Sequence, residues 1–288
     1  MIVFYACGGL GNQMFQYAMA RQVAIDRNMQ LRVDLSWYSR ARKGVTPRQF
    51  ELGSYEIALQ SAPPLVGAFA SLLRHRQTQF LWPMLGLRPI LEGRREVPSD
   101  FELTKGAYLV GYWQDERLFL RIRSVLKSEF QPRIPLATAD ADWVAEIDAS
   151  ESVSIHVRQG DYVSLPSAAQ CHGSCSASYY QRAMEFVTMR VRSPKFFVFT
   201  DDPAWAMHNL PASFDLRHVS AARTGSGSDD LRLMARCHHH IIANSSFSWW
   251  SAWLGETPGS IVVAPDPWFA APRNDLTIVP ARWAKLAR

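Results

Sequence analysis

Ile2-Val3-Phe4-Tyr5-Ala6-Cys7-Gly8-Gly9-Leu10-Gly11-Asn12-Gln13 is a short apolar run that breaks into glycines and then enters a stretch of helical periodicity. Strand, glycine loop and helix in that order are how a parallel α/β sheet begins. The alternation returns along the chain. Ile2–Ala6, Leu31–Leu35, Tyr108–Trp113, Val153–Arg158, Phe196–Thr200, His240–Ala243 and Ser260–Ala264 predict strands. Asn12–Arg27, Glu116–Phe130, Ser178–Arg192, Asp229–Arg236 and Ser245–Leu254 predict the helices between them. A chain of 288 residues is long enough for about two domains. Gln131–Ala139, with two prolines between periodic stretches, reads as the linker. Two parallel α/β halves facing a cleft bind a ligand at strand C-termini. Residues 36–107 are irregular and read as an elaborated substrate-facing surface.

Composition narrows the class. With 48% hydrophobic and 20% charged residues the chain is globular, neither disordered nor fibrous. The longest apolar region, Ala62–Ile90, is interrupted by Pro, Arg, His and Gln, too soon for a spanning helix. The N-terminus has neither a basic n-region nor a small-residue cleavage site, so the expectation is an unprocessed, cytoplasmic protein. Four cysteines, Cys7, Cys171, Cys175 and Cys237, are too scattered for a disulfide framework and read as buried thiols. The net charge, 31 − 26 = +5, arises in the first third: residues 1–100 carry 12 basic against 7 acidic residues, and the remainder 19 against 19. The basic residues are scattered and accompany no nucleic-acid motif, so no nucleic-acid partner is expected. Leu65, Phe69 and Leu72 share a helical face ahead of Arg74-His75-Arg76, which fits either a core-facing helix with a solvated basic end or a peripheral contact with an anionic membrane.

Three segments carry the chemistry. Gly8–Gln13 follows a strand and opens a helix, where glycines admit a phosphate or sugar to the backbone and the helix N-terminus favours negative charge; a plain structural turn is the alternative. It is not a dinucleotide fingerprint, because Met14 stands where the third glycine belongs, and no ribose-binding acid is evident. In Ser154–Tyr162, alternation puts His156 and Arg158 on one strand face, and an arginine at a strand's C-terminal end suits a diphosphate through forked hydrogen bonds. The competing reading is an Arg158–Asp161 turn pair. Asn244, Ser245 and Ser246 lie between a strand and a helix N-terminus, an anion-binding arrangement, and the Asp230 carboxylate suits a guanine edge.

Together, GGLGNQMFQYA at 8–18, GYWQD at 111–115, HVRQGDY at 156–162, FVFTDD at 197–202 with Trp205, and Asp230-Leu231 leading into IIANSSFSWW at 241–250 resemble the bacterial α-1,2-fucosyltransferases of glycosyltransferase family 11. The resemblance runs in order over nearly the whole chain outside 36–105. It implies an α/β fold of GT-B type, two Rossmann-like domains facing a cleft. The N-terminal, acceptor-side domain would cover 1–140 and the C-terminal, GDP-fucose-binding domain 150–288, with the last helix packing back on the first. It further implies inverting, metal-independent transfer of fucose from GDP-β-L-fucose to a galactose 2-hydroxyl. GDP-fucose is then a co-substrate and no cofactor is needed. The acceptor would be a galactose-terminated glycan, with a lipid-linked unit as the hypothesis. By position, Arg158 matches the arginine at the donor diphosphate, His156 and Asp230 match residues at the guanine end, and Ser245, Ser246 and Phe247 match the phosphate-and-guanosine loop beside Asn244. Gly9, Gly11 and Asn12 match the N-terminal loop. One departure stands out: the family pattern HxRRGDY has a second arginine where this chain has Gln159, which donates a hydrogen bond but brings no charge.

Transfer needs a carboxylate to take the acceptor proton. Asp161 is the expected base and Asp115 the runner-up. Other readings remain open at this point. Asp201-Asp202 resembles a divalent-metal pair. His238-His239-His240 and Cys171–Cys175 suggest zinc, although consecutive histidines point apart and C-x3-C has no second pair. The Cys171–Cys175 loop and Trp37 or Trp113 are candidates for sugar contact, whereas Trp250 and Trp253 read as packing. A dinucleotide oxidoreductase and a catalytically silent GDP-sugar-binding module are the rival functions.

Overall fold

The computed structural model describes residues 1–39, 47–67, 86–92, 106–160, 173–220, 227–270 and 278–288. The chain divides into two compact units, Met1–Arg133 and Ile134–Arg288.

In the first unit β1 (Ile2–Tyr5) leads through the glycine loop into α1 (Leu10–Asp26), followed by β2 (Leu31–Asp34), β3 (Gln60–Ser61), β4 (Leu87–Leu91), β5 (Gly106–Val110) and α2 (Arg123–Glu129). All pairings are parallel, in the order β3-β2-β1-β5-β4. β1 is apolar throughout because both its faces are covered. Val3 and Tyr5 pack with Val66, Leu87 and Tyr108. Phe4 meets Tyr17 of α1 edge-on, and Tyr17 meets Phe130. β4 lies in the irregular region and contains Pro89, which an edge strand tolerates because one side needs no ladder donor. The single helix expected over Glu116–Phe130 is instead two 3-10 turns, Glu116–Leu118 and Leu120–Ile122, and then α2. The break falls at Phe119, whose extended φ of −143° turns a fully buried ring against Phe15.

In the second unit α3 (Ala141–Asp148) precedes β6 (Ser152–Val157), α4 (Ala177–Thr188), β7 (Lys195–Thr200), α5 (Pro203–Asn209), β8 (Leu216–His218), α6 (Gly227–Arg236), β9 (His239–Ile241), α7 (Ser246–Gly255), β10 (Val262–Asp266) and β11 (Ala284–Ala287). The sheet order β11-β10-β9-β6-β7-β8, all parallel, is the doubly wound Rossmann order. Val153, Ile155 and Val157 of β6 face the core made with α4, while Ser154 and His156 alternate to the other, also buried face. Among the described residues the chain ends on β11, which extends the sheet beyond β10. Trp249, Trp250 and Trp253 are fully buried, so α7 is a core helix and the packing expectation for Trp250 and Trp253 is met. Gly255 ends α7 where a Cβ would lie 2.2 Å from the carbonyl oxygen of Ala235, so the close approach of α6 and α7 requires glycine.

Candidate active site

A doubly wound sheet opens a ligand crevice where connections leave the central strands in opposite directions, at their C-terminal ends. In the second unit that point lies between β6 and β9. The motif residues of both strands gather there. Arg158, just past β6, places Nη1 2.8 Å from Oδ2 of Asp201, just past β7, and both side chains remain partly exposed. The other carboxylate oxygen of Asp201 accepts the Gln159 backbone N–H at 2.9 Å. A Cβ on Gly160 would lie 2.6 Å from Asp201 Oδ2, so the chain must be glycine there for the carboxylate to keep this position. Asp201 thus orients the guanidinium of Arg158; Asp161, the expected turn partner and base, lies outside the described residues, as does Cys171.

His156 is buried, its Nδ1 has no hydrogen-bond partner among the described residues, and its ring centroid lies 5.5 Å from that of Phe247. Burial, reinforced by the Arg158 charge and opposed by Asp201, pushes its pKa down to about 4, so it is neutral at physiological pH. A neutral, unpartnered ring nitrogen next to an aromatic face suits hydrogen bonding to a heterocyclic ligand. On the β9 side, Ser245 caps α7 by accepting the Phe247 N–H, and Ser246 and Phe247 remain partly exposed at the helix start. The side chain of Asn244 is fully engaged in the protein: its amide donates to the carbonyls of Gly173 and Trp268, and its oxygen receives the Cys175 thiol. Asn244 therefore holds the loop that presents Ser245. Gln159 likewise turns inward and donates to the Cys175 carbonyl, 3.4 Å away. Asp230, in the first turn of α6, accepts from Ser220 Oγ, which in turn receives the Thr200 N–H. The start of α6 lies beside Phe247, 4.0 Å from where a Gly227 Cβ would stand.

Several other expectations can be placed. The adjacent carboxylates are engaged separately: Asp201 is paired with Arg158, while Asp202 caps α5 by accepting the Trp205 N–H. His239 Nδ1 accepts from the Ile261 N–H and His240 Nδ1 bonds Ser154 Oγ, so neighbouring histidines have separate partners. Among the described residues no group of three metal-ligating side chains occurs. Cys175 is buried, its thiol pushed up to about 11 by burial, and is not available for sugar contact.

The first unit has its own switch point, between β1 and β5. Gly8 takes the left-handed φ of +78° there, and Gly9 caps α1 through its carbonyl, which accepts from Asn12 and Gln13. Gly11 is buried in the first helical turn. Two buried glutamines hold the loop. Gln13 donates to the carbonyls of Gly8 and Gln49 and accepts from Glu51, while Gln16 brackets the Cys7 backbone. Asn12 Oδ1 accepts from Gln114 Nε2 at 2.9 Å, joining this loop to the GYWQD segment. Asp115 caps the following 3-10 turn and is paired with Arg117. Glu92 goes unnoticed in the sequence because it acts at long range: its carboxylate accepts the N–H groups of both Tyr112 and Trp113. Trp113 is buried with φ +56°, which removes it as a sugar platform, and Trp37 is partly buried in the core. Asp34 ends β2 where a dinucleotide enzyme places its ribose acid, but it is buried and bonded to Tyr108 Oη and the Ser36 N–H. Asp34 is thus committed to the protein, and the oxidoreductase reading, which had no evident ribose acid in the sequence, gains none from it.

Known proteins align with this chain over nearly its whole length. The chain is 32% identical over 293 residues to the Escherichia coli alpha-1,2-colitosyltransferase, covering 100% of this chain and 99% of that one. It is 29% identical to the Escherichia coli O-antigen biosynthesis glycosyltransferase WbnK, over 98% and 100% of the two chains. The solved structure of Arabidopsis thaliana FUT1 in complex with GDP shares the fold, with a TM-score of 0.50, 11% identity and coverage of 93% of this chain and 71% of that one. The model of glycosyl transferase family 11 matches residues 1–286, and the chain belongs to that family.

Proposed function

We propose that this protein transfers a 6-deoxyhexose, L-fucose, from its GDP-β-linked donor to the 2-hydroxyl of a galactose residue, with inversion to the α-glycoside and without a divalent metal. The observation that carries this reading is the β6–β9 switch point, where Arg158, the neutral His156 and the Ser245-capped start of α7 stand together. The acceptor O2 attacks the anomeric carbon as its bond to the β-phosphate oxygen breaks, and GDP departs with the bonding pair. The fixed Arg158 guanidinium and the α7 N-terminus offset the charge that develops on the leaving group. His156, Phe247 and Asp230 receive the guanosine end. The acceptor proton goes to a carboxylate, Asp161 by preference, since Asp115 is held by Arg117. Asp161→Asn then abolishes most turnover; near wild-type turnover in that variant removes Asp161 from the role.

A second donor is favoured by the colitosyltransferase relative, which aligns end to end. Colitose is fucose without its 3-hydroxyl, so both donors present the same GDP to the second unit. The test is a purified-protein assay with GDP-fucose and GDP-colitose, with and without EDTA, against β-galactosides, reading GDP release and linkage by NMR. An α-1,2 product that survives EDTA supports the reading, and the donor with the higher kcat/KM names the sugar. Donor binding with no transfer to any galactoside favours a silent binding module. A lipid-linked glycan, handled peripherally at a membrane, fits the O-antigen relative. Failure to sediment with anionic liposomes at physiological salt removes the membrane contact.

A further inference from the structure

We infer that Tyr112 is a stacking platform for the apolar face of the acceptor galactose. The inference rests on the galactoside reading above and adds to it a binding residue and a ligand orientation. Among the described Phe, Tyr and Trp side chains, Tyr112 is the most exposed, at 43%, while its neighbour Trp113 is buried.

The loop that displays it is fixed at several points. Glu92, immediately after β4, accepts the N–H groups of Tyr112 at 2.6 Å and Trp113 at 2.8 Å, and its own N–H bonds the Val110 carbonyl at the end of β5. Gly111 allows this approach, because a Cβ there would lie 2.4 Å from the Cβ of Glu92. Trp113 then anchors the far side with its buried ring, and Asp115 donates its N–H back to the Trp113 carbonyl. An exposed ring on an immobilised backbone loses little entropy when a ligand covers it. Its place is functional as well: the C-terminal end of β5, at the first unit's switch point, two residues from the Gln114 amide that bonds Asn12.

The chemistry selects the ligand. In a β-galactopyranoside the axial O4 leaves H3, H4 and H5 as one continuous apolar face, which packs on an aromatic ring, while the equatorial 2-hydroxyl stays at the sugar edge and is not covered. Amide groups such as that of Gln114 suit the hydroxyls around the rim.

Saturation-transfer NMR with methyl β-D-galactopyranoside, and steady-state transfer kinetics, test this. The full-length protein should show its strongest saturation at H3, H4 and H5. Tyr112→Ala should lose that pattern and raise the acceptor KM about tenfold, with GDP affinity and Tm unchanged. Tyr112→Phe should restore the pattern, because the ring and not the hydroxyl makes the contact, and Tyr112→Trp serves if the alanine variant misfolds. An unchanged acceptor KM in Tyr112→Ala, a parallel loss of GDP affinity, or equal damage from Phe and Ala overturns the inference, as does a wild-type protein that shows no saturation at that face. The two readings fail separately: the H3–H5 pattern without transfer sinks the transferase reading alone, and transfer untouched by Tyr112→Ala sinks the platform alone.

Discussion

Arg158 and Asp201 are more than a surface ion pair of the kind worth little to stability, because Asp201 is also tied to the Gln159 backbone and has no room to move past Gly160. The pair spends its geometry on aiming a guanidinium. Arg158→Ala should lower kcat roughly 10²- to 10³-fold while Tm stays near that of the parent, as measured by GDP release and differential scanning calorimetry. His156 makes a second prediction, in pH. Its folded pKa of about 4 lies below the unfolded value of about 6.5, so the folded state resists protonation. Its contribution to stability is therefore fully retained above pH 6.5, declines as pH falls from 6.5 towards 4, and levels off below. His240, pushed down to about 3 by burial, extends the same loss to lower pH. Urea midpoints measured from pH 7.5 to 4 should fall less steeply in His156→Gln than in the parent; parallel curves would remove His156 from the acid response. The strand-end positions of Arg158, His156 and Ser245 could be read directly from the sequence because each sits in a local strand-to-turn or turn-to-helix pattern. The partner of Arg158 could not, since Asp201 is 43 residues away and only sheet register brings the two together.

At the scale of elements, the central strands were legible because apolar residues must line strands that are covered on both faces, as in β1, β6 and β7. The edge strands were not. β8 and β11 are short and half-exposed, β3 has only two residues, and β4 contains a proline, so none shows a sustained period of two. The helix over Glu116–Phe130 failed for a different reason: Phe119, Ile122, Leu126 and Phe130 keep helical spacing, but burying the Phe119 ring against Phe15 outweighs continuity of the backbone. Packing between elements supplies another test. Gly255→Ala would drive a methyl into the Ala235 carbonyl and force α6 and α7 apart, costing about 1–3 kcal/mol by urea denaturation. Since Ser245 caps α7 and α6 carries Asp230, GDP affinity should fall in the same variant.

For the whole molecule, the strand orders predict where a ligand would bind. Hydrogen-exchange mass spectrometry with saturating GDP should show slowed exchange concentrated at 157–160 and 243–247, beside the β6–β9 switch point, with β8 and β11 at the sheet edges little changed. Protection centred on β11 would contradict the donor placement. The same strand orders have a consequence on the ribosome. Because β6 pairs with β9 on one side, Ser154 must wait for His240, 86 residues later, before that edge of the strand is closed. At about 5–20 residues per second, synthesis leaves it open for roughly 4–17 s. The first sheet repeats the delay, with β1 waiting for β5 from residue 2 to residue 107. Nascent chains of this protein therefore carry two sticky, half-built strands at their centres for seconds at a time, and their yield in a cell depends on how well chaperones cover that interval.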